Sequence, residues 1–107
     1  MRYLVTGCLR EPCPLSPAEY LALAIREWET ALRWLVDGRA LAYGRLGNGT
    51  TGMAIVLDVE SEAEARRLAE SLPLAPYAEM RVRAVEPLAR DEPATARPRL
   101  DPRAATS

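Results

Sequence analysis

The side chains able to do chemistry are few, and the absent ones narrow the choice. All fourteen basic residues of this 107-residue chain are arginine; there is no lysine and no histidine. Lysine Schiff-base chemistry, histidine general-base catalysis and histidine-ligated metal sites are therefore excluded. Cys8 and Cys13 are the only cysteines. A structural metal site needs about four ligands, so two thiols do not make one. They read as free thiols of a reducing compartment, and Cys8, with no histidine to draw off its proton, as a small apolar residue. No metal and no cofactor are expected. For general acid or base work the best candidate left is a carboxylate.

Glu27 is the candidate acid or base. On a helix it shares one edge with Tyr20, Leu23 and Trp34. There its carboxyl would be partly desolvated and its pKa raised toward working pH. The alternative is a plain exposed helix acid. Its neighbours one turn away are Leu23, Ala24, Thr30 and Ala31, so an ion pair would need an arginine from elsewhere. Tyr43 and Arg45 alternate to the same face of a short strand. An arginine fork there could hold a carboxylate or an enolate; the alternative is a strand-edge arginine and a packed tyrosine. Thr6, Tyr20 and Trp34 complete the candidate substrate contacts, Trp34 equally readable as an oligomer contact. The turn Gly47 to Gly52 joins two strands rather than opening a helix, so it does not read as a phosphate loop.

The elements that must position these residues are legible. Arg2 to Leu9 reads as a strand, with Tyr3, Val5, Gly7 and Leu9 on one face and Leu4, Thr6 and Cys8 on the other. Pro12 and Pro14 end it. Ser16 reads as an N-cap, Pro17 as the first helical residue and Glu19 as the partner that closes a capping box. Gly38 supplies the exit. Between them Leu21, Ala24, Ile25, Trp28, Ala31, Leu32, Leu35 and Val36 recur every three or four residues and predict one broad inner face. Tyr20, Leu23, Glu27 and Trp34 then fall on its flank, for a ligand or another subunit to cover. Arg39 to Leu46 and Met53 to Val59 read as strands joined by a hairpin turn. The apolar run of the second suggests a central strand. Ser61 opens a second helix with Ala65, Leu68, Ala69 and Leu72 inward. Pro73 and Pro76 end it, and Ala78 to Val85 is the last strand.

The order is β-α-β-β-α-β, a ferredoxin-like α+β sandwich with a four-stranded antiparallel sheet and both helices on one side. The uncovered side carries Leu4, Thr6, Cys8, Ala54, Val56 and Val85, with Arg81 and Arg83. It is too apolar for water across its middle, so two sheets are expected to pair into a dimeric α+β barrel. Residues 1–89 form this domain, and the proline- and arginine-rich stretch 90–107 reads as a disordered tail. Net charge is −1, which argues against a nucleic-acid partner. No apolar run approaches ~18 residues, so no membrane partner is expected and a cytoplasmic protein is.

Leu72-Pro73-Leu74-Ala75-Pro76-Tyr77, followed by an alternating strand, resembles the LPLxPY segment of muconolactone delta-isomerases. Asp58-Val59-Glu60-Ser61 is similar to the segment opening that family's second helix. Arg26-Glu27-Trp28-Glu29 with Gly38 is similar to its first helix. The likeness spans Tyr3 to Arg90. It implies a dimeric barrel that associates into larger rings and moves a proton around an unsaturated lactone without a cofactor. It also implies a lysine–glutamate pair one turn apart on helix one. Glu27 matches the acid and Ala24 stands at the lysine's place. The family's polar hairpin is replaced here by Asn48, Gly49, Thr50, Thr51 and Gly52. The expected function is a small cofactor-independent isomerase or cyclase acting on a small unsaturated, oxygenated molecule, in a homodimer or higher ring. The alternatives are a non-catalytic binding or assembly barrel, or a cofactor-free monooxygenase.

Overall fold

The computed structural model describes residues 1–47 and 52–86. The expected turn over Asn48 to Thr51 and the expected tail from Arg90 to Ser107 lie outside the described residues. The elements follow in the expected order: β1 (Arg2–Leu9), α1 (Pro17–Asp37), β2 (Ala40–Arg45), β3 (Gly52–Asp58), α2 (Glu62–Glu70), a 3-10 turn (Ala75–Tyr77) and β4 (Ala78–Val85). The strands form one antiparallel sheet in the order β2-β3-β1-β4. β1 and β3 are thus the central pair, in register from Arg2 opposite Asp58 to Cys8 opposite Gly52.

The helix boundaries are set locally. The Ser16 hydroxyl accepts from the Glu19 N–H at 3.1 Å, and the Glu19 carboxylate accepts from the Ser16 N–H at 2.9 Å. This capping box satisfies two of the orphan donors at the start of α1. Gly38 ends the helix at φ 81°, a left-handed conformation that costs a Cβ-bearing residue about 1 kcal/mol or more. Ser61 caps α2 through the Glu64 N–H.

Tyr3 and Val5 of β1 and Met53, Ile55 and Leu57 of β3 point to the helices and are buried. Ala31 and Trp34 of α1 and Ala65, Leu68 and Ala69 of α2 meet them in one core. Leu4, Thr6, Ala54 and Val56 lie half-buried on the uncovered side of the sheet.

α1 is turned relative to the expectation from periodicity. The face it buries holds Glu27, Ala31 and Trp34. Of the residues expected on a flank for another body to cover, Glu27 and Trp34 are buried and Tyr20 and Leu23 half-buried within the chain itself. Leu21, Ile25, Trp28, Leu32 and Val36, expected inside, are exposed. At ~100° per residue the two directions differ by about 100° around the helix axis. The physical reason is that α1 has more apolar circumference than one sheet can cover. Periodicity finds the densest apolar face, not the face that the sheet takes.

β2 departs from strict alternation. Ala40 pairs with Leu57 and Ala42 with Val56, so Leu41 is an extra residue in the strand. This bulge resets the phase. Ala40 now faces the core together with Tyr43, whereas unbroken alternation predicted opposite faces.

Candidate active site

A cavity of about 450 Å³ opens between the first half of α1 and the strand ends on that side of the sheet. Tyr20, Ala24, Ile25, Glu27 and Trp28 form its helical wall, and Tyr43, Gly44 and Arg45 of β2 face them. Gly7, Met53 and Met80 line it from β1, β3 and β4. Gly7 makes room there for the Met80 thioether, which a Cβ would force to shift.

Glu27 is 5% exposed, the one charged side chain among the buried residues described. Its carboxylate Oε1 accepts from the Leu74 N–H at 3.3 Å. That donor comes from the loop after α2, inside the Leu72–Tyr77 segment. Prolines on either side hold this loop in shape: Leu74 leads directly into the 3-10 turn that begins at Ala75. Burial raises the Glu27 pKa above the ordinary carboxyl value, and the Leu74 N–H offsets part of the rise. The proton affinity is thereby moved toward the range useful in general acid–base transfer.

Tyr43 lies close enough to feel the same charges. Burial raises its phenol pKa, the neighbouring Glu27 and Tyr20 side chains raise it further, and Arg45 opposes them. Tyr43 therefore stays a neutral donor. Arg45 is exposed, lines the cavity, and makes no ion pair among those the described residues form. A cation with free donors beside a neutral phenol and a carboxyl can receive an oxyanion.

Of the residues picked from the sequence, Glu27, Tyr20, Tyr43 and Arg45 come together at this cavity. Trp34 and Thr6 do not. Trp34 is 5% exposed and packs in the core rather than at an edge, because the sheet takes that side of α1. Thr6 sits on the opposite side of the sheet, paired with Ala54 and Arg81, because strand alternation turns it away from the helices. The sequence gives no sign of the Leu74 N–H or of Met80 at the cavity, and its periodicity puts Trp28 in the core. The proline-rich Leu72–Tyr77 segment was visible, but not its contact with a residue 47 positions away.

The strand order, with both helices on one side, puts the chain in the ferredoxin-like class of α+β proteins. Within that class it belongs to the muconolactone delta-isomerase family, whose profile matches residues 1–91. A crystal structure of muconolactone isomerase aligns with a TM-score of 0.68 and 27% identity, over 79% of this chain and 88% of that one. The 5-chloro-2-hydroxyhydroquinone dehydrochlorinase of Burkholderia phenoliruptrix AC1100, solved with 2,5-dihydroxybenzoquinone, aligns with a TM-score of 0.55 and 19% identity. That alignment covers 80% of this chain and 94% of the dehydrochlorinase. It shares the fold. No curated protein matches the sequence. Among the described residues no helix is long and apolar enough to cross a membrane.

Proposed function

We propose that the chain is a cofactor-independent isomerase or cyclase that moves a proton on a small unsaturated, oxygenated substrate. The observation that supports this most is the buried Glu27 carboxyl, tied by one oxygen to a backbone N–H at the wall of an otherwise mostly apolar cavity. Such a carboxyl has one oxygen left for chemistry. In its ionised form it takes a proton from a carbon next to a carbonyl or lactone, and the electron pair moves onto the carbonyl oxygen. Tyr43, as a neutral phenol, and Arg45 stabilise that oxyanion by hydrogen bonding and charge. Glu27, now protonated, returns the proton to another carbon of the same conjugated system. The proton and the electron pair both stay in the cycle, so the reaction needs no external oxidant or reductant. Tyr20 and the thioethers of Met53 and Met80 would hold a flat unsaturated skeleton.

Ala24 supplies no cation one turn before Glu27, so stabilisation of negative charge falls to Arg45. The substrate need not be the muconolactone that names the family. The test is solvent-deuterium incorporation, followed by NMR, into muconolactone and a panel of unsaturated lactones and enones. At least one should exchange with wild type, and Glu27→Gln should abolish exchange while the fold is kept. Exchange that persists undiminished in Glu27→Gln refutes the role of Glu27.

A non-catalytic barrel that serves assembly is the second reading. The exposed apolar side chains of α1 favour it. A wild-type protein inert toward the whole panel, yet associating through that surface, would support it.

A further inference from the structure

Tyr20, Ala24 and Trp28 follow one another along the cavity wall at four-residue spacing, so each lies one turn beyond the last. Glu27 stands beside Ala24 at three-residue spacing. Tyr20 and Trp28 end this row with rings, and their Cα atoms are about 12 Å apart at 1.5 Å per residue. Between them Ala24 offers only a methyl group. The wall therefore has a notch, with an aromatic side chain at either end and the buried acid at its side. Trp28 is 55% exposed although it lines the cavity. The tryptophan that α1 gives to the core is Trp34, so the Trp28 indole is open to a ligand. At about 450 Å³ the cavity lies within the ~300–1,000 Å³ of pockets that enclose drug-sized ligands. One small ring at Glu27, Tyr43 and Arg45 leaves the notch to water.

Resting on the proton-transfer site described above, we propose that the cavity takes a substrate of two fused rings. An oxygenated ring presents its enolisable carbon to Glu27 and its oxyanion to Tyr43 and Arg45. A second, flat apolar ring sits over Ala24 against Trp28. The walls account for its shape. An indole and a phenol favour stacked or edge contacts with another flat ring, and the thioethers of Met53 and Met80 adapt to ring edges. The walls also account for its polarity, since Ala24, Ile25 and Trp28 are all apolar on this side of the cavity. A long side chain at position 24 would run through the space that the second ring takes.

The experiment compares two probes on the full chain. 4-Hydroxycoumarin and 4-hydroxy-6-methyl-2-pyrone share one unsaturated lactone head, both are enolates at neutral pH, and the first adds a fused benzene ring. Isothermal titration should give 4-hydroxycoumarin a Kd about tenfold or more below that of the pyrone. Trp28→Ala should reduce this ratio about fivefold. Ala24→Leu, which fills the notch, should bring it near one. In proton–nitrogen correlation spectra the Trp28 indole N–H, identified by its loss in Trp28→Ala, should shift with 4-hydroxycoumarin, while that of Trp34 stays in place. Equal affinities for the two probes, no binding of 4-hydroxycoumarin, or a ratio unchanged in both variants overturns the fused-ring substrate. Binding requires no proton transfer, so this result is separate from the exchange test. Exchange that persists in Glu27→Gln while the affinity ratio holds removes the acid's role and keeps the second ring. Exchange lost in Glu27→Gln with a wild-type ratio of one keeps the acid and removes the second ring.

Discussion

Replacing Glu27 by glutamine should stabilise the protein at neutral pH and leave its stability unchanged in acid. Glu27 is 5% exposed and has one hydrogen-bond donor, the Leu74 N–H at 3.3 Å. Glutamine keeps the size and an acceptor for that donor. The bond becomes neutral, which gives up about 1 kcal/mol, less if the long bond is weak to begin with. Against this, an ionised carboxylate with one donor and no cation partner carries a desolvation cost of several kcal/mol after relaxation. The expected balance is a gain of about 1 kcal/mol at pH 7, the usual size of the stability released when a functional group is removed. For a domain of this size that raises Tm by about 4–8 °C. The pH dependence fixes the cause. The folded-state pKa of Glu27 is raised above the ordinary carboxyl value of 4.5. Below 4.5 the carboxyl is neutral in both folded and unfolded chains, and its favourable contribution is fully present. As pH rises through the raised folded value, wild type loses that contribution and the glutamine variant does not. Urea titrations of both proteins at pH 4 and pH 7.5 measure this, and the other carboxyls cancel in the difference. A variant less stable than wild type at pH 7.5, or a difference independent of pH, would show that the charge is well compensated in the fold. The acid would then lack the perturbation that suits it to proton transfer.

Three further outcomes are expected. Val56→Arg puts a charge in the middle of the uncovered sheet face, and light scattering should show loss of whatever association that face supports; an unchanged mass would remove the expected barrel. Gly7→Ala drives a methyl into the Met80 sulfur, so Met80 should shift into the cavity. A loss of about 1–3 kcal/mol in urea and weaker binding of any cavity ligand should follow, and an unaltered melt would contradict the close approach. Trp34→Ala should cost about 3–5 kcal/mol as a core truncation, whereas Trp28→Ala in the monomeric state should cost well under 1 kcal/mol; equal effects would mean that α1 is turned differently.

The element order and the helix ends were readable because they depend on neighbours in sequence. Ser16, Pro17, Glu19 and Gly38 act within one turn of the residues that they cap. Pro73 and Pro76 stop a helix wherever the chain goes next. The face of α1 was not readable in the same way. Its apolar residues cover more than one side, and which side meets the sheet is decided by packing against the assembled strands rather than by neighbours along the helix. A similar limit hid the phase of β2, where one extra residue at Leu41 undoes alternation. At the site, Tyr43 and Arg45 could be paired with Glu27 as chemistry, and they do converge. Thr6 lies on the uncovered side of the sheet, as strand alternation requires, and so stands away from the cavity. The hydrogen bond from Leu74 carries no trace in composition, since any residue but proline offers the same N–H.

The main-chain origin of this hydrogen bond affects how the scaffold tolerates mutation. The group that fixes Glu27 belongs to the main chain, so no codon specifies it, and every substitution at position 74 except proline leaves the donor in place. The acid is therefore insulated from drift in the residues around it. Neither residue 24 nor residue 45 hydrogen-bonds the carboxyl, so a change at either leaves that bond's donor and acceptor in place. For the same reason Ala24→Lys is a natural first step for an engineer who wants to reintroduce a cation one turn from Glu27.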